Sequence, residues 1–435
     1  MCKDNQNPSN SSDENILIIS HTALSTFDSM GSTLANYLSS YSEENIFQFY
    51  LKKMTPNIFL KSHYYCWTDY EVLKNIINPF NKSHKGCEIK PNESVDVNPA
   101  SKDERGTGGW RKRGRNLFFR NILWTISFAF NKRIKEWVKS INLKAIVLMP
   151  GDFSFLFKLA RKIAKKNGAP IILMQCESYL LKPNLSHGLF YLLYRNNFKI
   201  NYKKTEKFVK SNIYLCQKLC DNYTSIFPNS KHITIYKPFV KPNNVDTHFT
   251  REKNSFIYAG NIGKMTGRYE ILNDVCDEIN KNGFVIDIYT NSTGEYLNDI
   301  INNSSVRFHP LISYNQLVNE YKKHEYVLYV ENFKPNFVED LKYGFSTKIC
   351  DMLGYGCIGV TIGDSSIAGI QYLKENMIGY IFDDKEKIDL SSLKNVSDAE
   401  KQRMINRSKE LLDKNHNSYK NSNSFRNEII FAMKN

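Results

Sequence analysis

One stretch near the end of the chain gathers side chains that could bind an anion. Residues 343–357 read YGFSTKICDMLGYGC and contain three adjacent residues, Ser346, Thr347 and Lys348. Asp351 follows Lys348 by three positions, so a helix beginning here would place both on one face, with its free N–H groups directed outward. A phosphate site and a surface ion pair worth a few tenths of a kcal/mol are both compatible with this pattern.

A second stretch, AGNIGKMTGRYEIL (259–272), combines glycines with positive charge. Gly260, Gly263 and Gly267 allow close approach of a ligand to the backbone, and Lys264 and Arg268 add cations near a helix start. Backbone N–H groups, a helix dipole and cations together suit a diphosphate. The spacing is neither GxGxxG nor GxxxxGK[ST], and a plain glycine-rich turn with solvated basic residues is the alternative.

The elements that must position these loops alternate between strand and helix. In the first half the strand-like runs are ILIIS (16–20), NIFQFYL (46–52), AIVLM (145–149), PIILMQCES (170–178), NIYLCQ (212–217) and HITIY (232–236). In the second half the strand-like runs are SFIYAG (255–260), FVIDIYT (284–290), VRFHP (306–310), YVLYVE (326–331), CIGVTIG (357–363) and IGYIF (378–382). This order predicts an α/β protein with two doubly wound, Rossmann-like parallel sheets.

The spacing of these runs also predicts the domain boundaries. We expect an N-terminal domain over 14–240, a C-terminal domain over 253–415, and a C-terminal helix over 416–435 that packs back on the N-terminal domain. Residues 237–254, with two prolines and no periodicity, read as a linker. Within the first domain we expect a mobile loop over about 81–115, followed by a helix over about 116–140.

Composition narrows the class of protein. The chain has 435 residues, 41% hydrophobic content and a formal net charge of +15, and it lacks a run of 18 apolar residues. The polar N-terminus has no secretory layout and the nine cysteines form no CxxC pair, so we expect a cytoplasmic protein without disulfides or a zinc site. The basic residues form no recognised nucleic-acid module.

Part of the positive charge is concentrated beside aromatic residues. Residues 110–120 read WRKRGRNLFFR, and ILWTISFAFNKR follows directly. A basic segment leading into an apolar stretch is typical of an element at a membrane surface. A core helix with a solvated N-terminal flank is the alternative, so peripheral membrane contact through 110–130 is one of two open interpretations.

Four sequence segments of the second half resemble those of a known protein family. The segments YAGNIGKMTGR, VRFHPLISYNQLVNEYKKHEYVLYVENF, FSTKICDMLGYGCIGV and IQYLKENMIGYIF resemble the nucleotide-sugar half of GT-B fold glycosyltransferases. They are most similar to family-4-like bacterial enzymes of capsular and cell-surface polysaccharide synthesis. The resemblance covers essentially the whole chain, is strong over 255–385 and weak over 53–143. It implies two Rossmann-like domains facing each other across a cleft.

The resemblance also implies roles for single residues in binding the donor. Asp351 stands where these enzymes place a carboxylate that accepts hydrogen bonds from the donor ribose. The segment Ser346, Thr347 and Lys348 matches one that lies against the diphosphate and the sugar. Lys264 or Arg268 would neutralise the leaving diphosphate.

Two further positions match the family pattern and others depart from it. Leu311 matches the position whose backbone meets the base, and Glu331 lies where contacts to sugar hydroxyls arise, which makes it a candidate catalytic residue. Tyr343 occupies the place of the usual first glutamate, and Asn261 the place of a basic residue. The chain has no D-x-D motif, so we expect neither a metal nor another cofactor.

The acceptor side should supply a base or a polar group that orients the acceptor hydroxyl. Glu177, at the end of PIILMQCES, is the first candidate, and Asp152 and His21 also follow strands. Each could instead be a capping or turn residue. Gly31 would let the first loop approach the donor or the acceptor.

Together these observations predict a metal-independent glycosyltransferase. The donor is a nucleotide sugar, expected to be a UDP-sugar, and the acceptor a saccharide, expected to be lipid-linked, at the inner face of a bacterial cell membrane. A nucleotide-sugar epimerase of the same fold and a catalytically silent partner subunit are the alternatives. A two-domain solute-binding protein would need export, for which the N-terminus carries no signal.

Overall fold

The chain folds into two compact units. The computed structural model describes residues 14–26, 28–93, 114–181, 188–241 and 250–435. Unit 1 runs to Ile235 and includes Ser422–Asn435, whereas unit 2 comprises Tyr236–Asn421. Within the described ranges, no helix combines the length and the apolar composition needed to cross a bilayer.

Unit 1 is built on an eight-stranded sheet. Its strands are β1 (Ile16–Ser20), β2 (Ile46–Tyr50), β3 (His63–Cys66), β4 (Cys87–Ile89), β5 (Ala145–Met149), β6 (Ile171–Gln175), β7 (Val209–Tyr214) and β8 (His232–Thr234), in the order β4-β3-β2-β1-β5-β6-β7-β8. Every residue of β1 and β5 is buried, as expected for central parallel strands covered on both faces. The pairing places Ile16 beside Ile46 of β2 and Ala145 of β5.

Two strands of this sheet were not predicted from the sequence. β3 lies parallel to β2, and β4 lies antiparallel to β3, so the sheet carries one antiparallel edge strand. The prediction of a mobile loop over 81–115 is wrong for the first part of that range, because β4 lies within it. Residues 94–113 lie outside the described ranges. β3 reads HYYC, and its two buried tyrosines donate their hydroxyls to the carbonyl oxygens of Ile58 and Lys85, each at 2.8 Å.

The helices of unit 1 pack on this sheet. They are α1 (Ser29–Leu38), α2 (Asp69–Ile77), α3 (Gly114–Phe130), α4 (Lys132–Ser140), α5 (Ser154–Asn167), α6 (Leu189–Glu206) and α7 (Gln217–Ile226). The single helix expected over 116–140 is therefore two helices. Asn131 separates them: its Oδ1 accepts a hydrogen bond from Ile134 N (3.3 Å) at the start of α4, and its amide donates to Lys85 O (2.9 Å).

Unit 2 contains a six-stranded, fully parallel sheet. Its strands are β9 (Glu252–Ala259), β10 (Val285–Tyr289), β11 (Val306–His309), β12 (His324–Val330), β13 (Ile358–Ile362) and β14 (Tyr380–Phe382), in the order β11-β10-β9-β12-β13-β14. Its helices are α8 (Arg268–Lys281), α9 (Asn298–Asn302), α10 (Tyr314–Lys323), α11 (Pro335–Leu341), α12 (Lys348–Gly354), α13 (Ala368–Glu375) and α14 (Asp398–Asn415). The prediction of two Rossmann-like α/β units, with six strands in the second, is confirmed.

The last helix, α15 (Ser418–Lys434), returns to unit 1 from Ser422 onward. Its Glu428 carboxylate accepts hydrogen bonds from Ser211 Oγ on β7 (2.6 Å) and from Lys231 Nζ (2.9 Å). The ring of Phe425 is fully buried, 5.3 Å from the ring of Tyr37 on α1. The packing of unit 1 therefore includes residues from both ends of the chain.

A buried polar network ties the sheet of unit 2 together. Asp287 on β10 lies 2.5 Å from His309 Nε2, 2.8 Å from His324 Nε2 and 3.2 Å from Arg307 Nη1. Burial would raise the pKa of Asp287, but the hydrogen bonds from the two histidines hold it below its usual value. Possible metal-ligand atoms of Glu252, Asp287 and His324 lie within 4.8 Å of one another, yet Arg307 contacts both carboxylates. Arg307 therefore supplies positive charge to this cluster.

We expect Asp287→Ala to destabilise unit 2 by at least about 2 kcal/mol, because it leaves Nε2 of the buried His324 without its hydrogen-bond partner. The check is chemical denaturation of the full chain at pH 7, followed by circular dichroism. Asp299→Ala, at an exposed position of the same unit, is the matched control. Since the Asp287 pKa is lowered by folding, the difference from wild type should shrink as the pH falls below about 4. Equal stability of both variants at pH 7 would contradict a stabilising role of the buried Asp287 network.

Candidate functional site

The residues singled out in unit 2 meet at the carboxyl ends of parallel strands. Gly260 follows β9, Glu331 follows β12, and Lys348 begins α12, the helix that leads into β13. Gly260 has a φ of +145°, and a Cβ built there would lie 2.2 Å from Lys348 Nζ. Only glycine lets the backbone take this conformation and come this close to the lysine. Ligands of open parallel sheets bind at this edge.

Arg268 and Glu331 form a buried bidentate ion pair. Arg268 Nη2 lies 2.6 Å from Glu331 Oε1 and Nε lies 2.8 Å from Oε2, while Glu331 is only 2% exposed. Arg268 begins α8, and Gly267 before it adopts a φ of +63°. The pair fixes the loop after β9 to the end of β12, with both carboxylate oxygens occupied by the guanidinium.

The amino group of Lys348 lies beside this ion pair but forms no ion pair of its own within the described residues. Lys348 Nζ lies 3.5 Å from Tyr258 Oη and 4.5 Å from the centroid of the Tyr258 ring. Burial and the nearby Arg268 lower the Lys348 pKa to about 7, against the opposing effects of Glu331 and Asp351. Since an anion would favour the charged amine, the site is suited to bind one.

Asp351 lies one turn further along α12 and is 9% exposed. Its Oδ1 accepts a hydrogen bond from the Tyr314 hydroxyl (2.7 Å), which lies 3.0 Å from the Tyr355 hydroxyl. Burial raises the pKa of Asp351, although Lys237, Tyr314 and Lys348 act in the opposite direction. This carboxylate is therefore a desolvated acceptor whose second oxygen has no hydrogen bond among the described residues.

The other residues predicted for the donor site take different positions. The Ser346 hydroxyl accepts a hydrogen bond from Lys348 N (3.4 Å), and the Thr347 carbonyl accepts one from Lys237 Nζ (3.4 Å). Lys264 is exposed, with Nζ 5.1 Å from the centroid of the Tyr296 ring. Leu311, just after β11, is 62% exposed. Among the described residues, no hydrogen bond or ion pair joins Lys264 or Leu311 to the Arg268–Glu331 pair.

Asn261 shapes the glycine loop where a basic residue was expected from the resemblance. Its Oδ1 accepts hydrogen bonds from Gly263 N (2.6 Å) and from Ser292 Oγ (3.3 Å). A Cβ on Gly263 would approach that Oδ1 to 2.9 Å. Asn261 therefore holds the loop closed on itself, and a side chain at Gly263 would have to displace the Asn261 amide.

Sequence reasoning missed three residues of this site. Lys237, Tyr258 and Tyr314 contact or face Lys348 and Asp351, yet Lys237 was assigned to a linker and the tyrosines to the scaffold. The only available signal was positional. Tyr258 is the penultimate residue of β9, which leads into a glycine loop, and Tyr314 follows Ser313, which caps α10.

In unit 1 the acceptor-side candidates also follow strands but differ in environment. His21 stacks on Phe153 with ring centroids 4.7 Å apart, and burial together with Arg120 lowers its pKa to about 3, so it is neutral at physiological pH. Asp152 Oδ1 pairs with the buried Arg195 at 3.3 Å. Glu177 is exposed just after β6.

Gly31 has a packing role. A Cβ there would lie 2.1 Å from the carbonyl oxygen of Ala23, so glycine allows α1 to pack against the loop after β1. Asp28 caps this helix by accepting hydrogen bonds from Met30 N (3.0 Å) and Gly31 N (3.3 Å). Contact of the loop at Gly31 with a donor or an acceptor stays a prediction.

Two charged residues near the strand ends of unit 1 were not predicted. Asp69, at the start of α2, lies 2.7 Å from Arg120 Nε and accepts a hydrogen bond from Trp124 Nε1 at 2.7 Å. The Arg120 guanidinium lies 4.2 Å from the centroid of the Phe153 ring. Asp69 and Arg120 are 51 positions apart in the sequence, so local sequence patterns do not reveal this pair.

We expect the Lys348 ammonium to titrate near pH 7, far below the value near 10.4 of ordinary lysines. The measurement is a ¹³C NMR titration of lysine-labelled protein, with the signal assigned by its loss in Lys348→Arg. Glu331→Gln removes a carboxylate that raises the Lys348 pKa and should lower it further. A Lys348 signal that titrates together with that of the surface residue Lys342 would show that its environment is not desolvated.

Comparison with known proteins locates the fold. No protein-family model matches the chain, and no curated protein matches it. The trehalose 6-phosphate synthase of Burkholderia multivorans superposes with a TM-score of 0.59 at 8% identity, covering 96% of this chain and 98% of that one. A TarM variant from S. aureus, solved in complex with UDP among other ligands, gives 0.57 at 12% identity over 97% and 100%.

A third match is shorter. The pneumococcal O-GlcNAc transferase GtfA, in complex with UDP and GlcNAc, gives a TM-score of 0.51 at 14% identity and covers 69% of this chain. The chain spans 60% of the length of that protein. At these identities the similarity shows the fold alone, which is the GT-B fold of glycosyltransferases.

Proposed function

We propose that this protein is a glycosyltransferase that moves a sugar from a nucleotide-sugar donor, specifically a UDP-sugar, to a saccharide acceptor. The observation that carries the proposal is the Lys348 amino group, which is desolvated and without a carboxylate partner among the described residues, beside the Arg268–Glu331 pair. It lies at the strand ends of a domain whose fold is shared with proteins solved in complex with UDP.

The charges of the site suit the departure of a nucleoside diphosphate. In transfer, the bond between the sugar C1 and a phosphate oxygen breaks, a bond from C1 to the acceptor oxygen forms, and the acceptor loses its proton. Negative charge then develops on the diphosphate, where preorganised cations and backbone N–H groups stabilise it. Lys348 provides the cation, and the loop at Gly260 lets backbone N–H groups approach the diphosphate. We therefore propose that the reaction needs no divalent metal.

The remaining residues of the site are assigned supporting roles. Asp351, oriented by Tyr314 (2.7 Å), would accept hydrogen bonds from the ribose hydroxyls. Arg268 would keep the glycine loop in place through Glu331, whose sugar contact requires a rearrangement of that ion pair. On the acceptor side, the exposed Glu177 is accessible to a substrate, whereas Asp152 is paired with Arg195. Glu177 therefore stays the first candidate for the base.

For the acceptor we propose a lipid-linked saccharide of bacterial surface polysaccharide synthesis, used at the inner face of the membrane. Support comes from the family resemblance and from apolar side chains on α3 and α6. Phe119 is 46% exposed, and its ring lies 5.7 Å from that of Phe190, which is 39% exposed. Leu189 and Leu193 on α6 are 68% and 41% exposed. Such a patch is suited to contact lipid.

Loss of activity in two variants tests the donor site. Lys348→Ala and Asp351→Ala should each lower transfer by at least about a hundredfold, because one removes the phosphate cation and the other the ribose acceptor. A panel of UDP- and GDP-sugars is incubated with saccharide acceptors, and the released nucleoside diphosphate is measured. Interconversion of the donor without transfer would instead indicate an epimerase.

The control for this experiment is Lys342→Ala, a surface lysine of the same unit that pairs with Glu339 at 3.5 Å. It should retain wild-type activity, and circular dichroism should show that all three variants fold. Full activity in both site variants would overturn the donor-site assignment. A wild-type protein that binds UDP-sugars but transfers nothing to any acceptor would favour the silent partner subunit.

The membrane contact has its own test. Replacing Phe119, Leu189 and Leu193 together by serine should lower co-sedimentation with phosphatidylglycerol vesicles at least about fivefold, because their apolar area no longer enters the lipid. In the matched control, serine replaces Ile301, Met377 and Tyr419, which are exposed residues of unit 2. Equal vesicle binding by both triple variants would rule out this patch as the docking surface.

A further inference from the structure

A cavity of about 400 Å³ lies in unit 1 between α4 and the second half of α5. Its floor is apolar and buried, formed by Phe128 at the end of α3, Ile134 and Val138 on α4, and Ile163 on α5. None of these residues belongs to the site proposed above. The volume is within the range of small-molecule sites, about 300–1,000 Å³.

The rim of this cavity is basic. Lys135 and Lys139 on α4 and Lys162 and Lys166 on α5 surround it, each pair at positions i and i+4 of its helix. No acidic residue lines the cavity, and none of the four lysines forms an ion pair within the described residues. Burial and the neighbouring lysines, Lys162 first, lower the pKa of Lys135. Like charges at this spacing repel one another, and an anion would relieve that repulsion.

The cavity lies away from the strand ends where an acceptor would bind. α4 ends at Ser140 before β5 begins, and α5 ends at Asn167 before β6 begins. The second half of α5 is therefore at the amino ends of these strands. Asp152 and Glu177 follow the carboxyl ends of β5 and β6, at the opposite edge of the sheet. The cavity is thus separate from the proposed acceptor side.

We propose that this cavity binds an amphipathic anion, with its apolar body on the floor and its phosphate or carboxylate head among the four lysines. Burial of the apolar body accounts for the floor, and charge complementarity accounts for the rim. A wholly polar polyanion would use the lysines but leave the apolar floor wet, so the amphiphile fits better. The inference is independent of the proposed transfer reaction.

The test uses dodecyl phosphate as the probe, titrated into the full-length protein below its critical micelle concentration and followed by calorimetry. Wild type should bind it saturably with one site. The charge reversal Lys139→Glu/Lys162→Glu and the cavity-filling Ala129→Trp should each weaken binding at least about tenfold, the first by removing the head contacts and the second by blocking the exposed mouth. Neither variant alters a buried side chain.

Matched controls separate site binding from general charge. Lys203→Glu/Lys207→Glu changes the net charge equally at exposed positions that do not line the cavity, and it should bind the probe like wild type. Inorganic phosphate and dodecyl maltoside, which carry only the head charge or only the chain, should bind at least about tenfold more weakly. Circular dichroism confirms that each variant is folded.

Vesicles distinguish the source of the anion. If Ala129→Trp also reduces binding to phosphatidylglycerol vesicles, the ligand is a membrane lipid. If it reduces only dodecyl phosphate binding, the ligand is a soluble amphiphile; both results support the site. Absence of saturable binding by wild type, or equal affinity in the cavity variants and the control variant, would overturn the proposal.

Discussion

The bidentate ion pair between Arg268 and Glu331 sets the arrangement of the candidate site. It joins the start of α8 to the end of β12, across 63 residues of chain. Because Glu331 is almost fully buried, removing either partner would leave an uncompensated interior charge, at a cost of about 3–5 kcal/mol. The loop after β9 is therefore held where Gly260 meets Lys348, and the local electrostatics follow from that contact.

The candidate site carries less charge than its residue types suggest. Lys348, partly buried beside a guanidinium, has a pKa of about 7, and burial raises the pKa of Asp351. Both groups are desolvated in advance, so a ligand that offers an anion to one and hydroxyl donors to the other meets little competing water. If the site acts as proposed, selectivity for a nucleoside diphosphate over a simple phosphate would come from satisfying both groups at once.

Local sequence patterns predicted the parts of this site but not its connections. Lys348 and Gly260 were found because turn and helix-start residues after apolar runs have a distinct composition. The Arg268–Glu331 pair, the role of Tyr314 and the approach of Lys237 depend on tertiary packing over 37 to 110 residues of separation. β3 was missed because its sequence, HYYC, lacks the run of aliphatic residues that indicates a buried strand. Its two tyrosines are buried with their hydroxyls hydrogen-bonded.

The C-terminal helix has a consequence for the order of folding. Ser211 on β7 contacts Glu428, 217 residues later in the chain, and Tyr37 packs on Phe425. During synthesis, unit 2 can emerge and close its own sheet while unit 1 still lacks a helix that covers it. Of the two units, the one that leaves the ribosome first is thus completed last, and its uncovered surface is exposed to chaperones for the time that translation of nearly 200 residues takes.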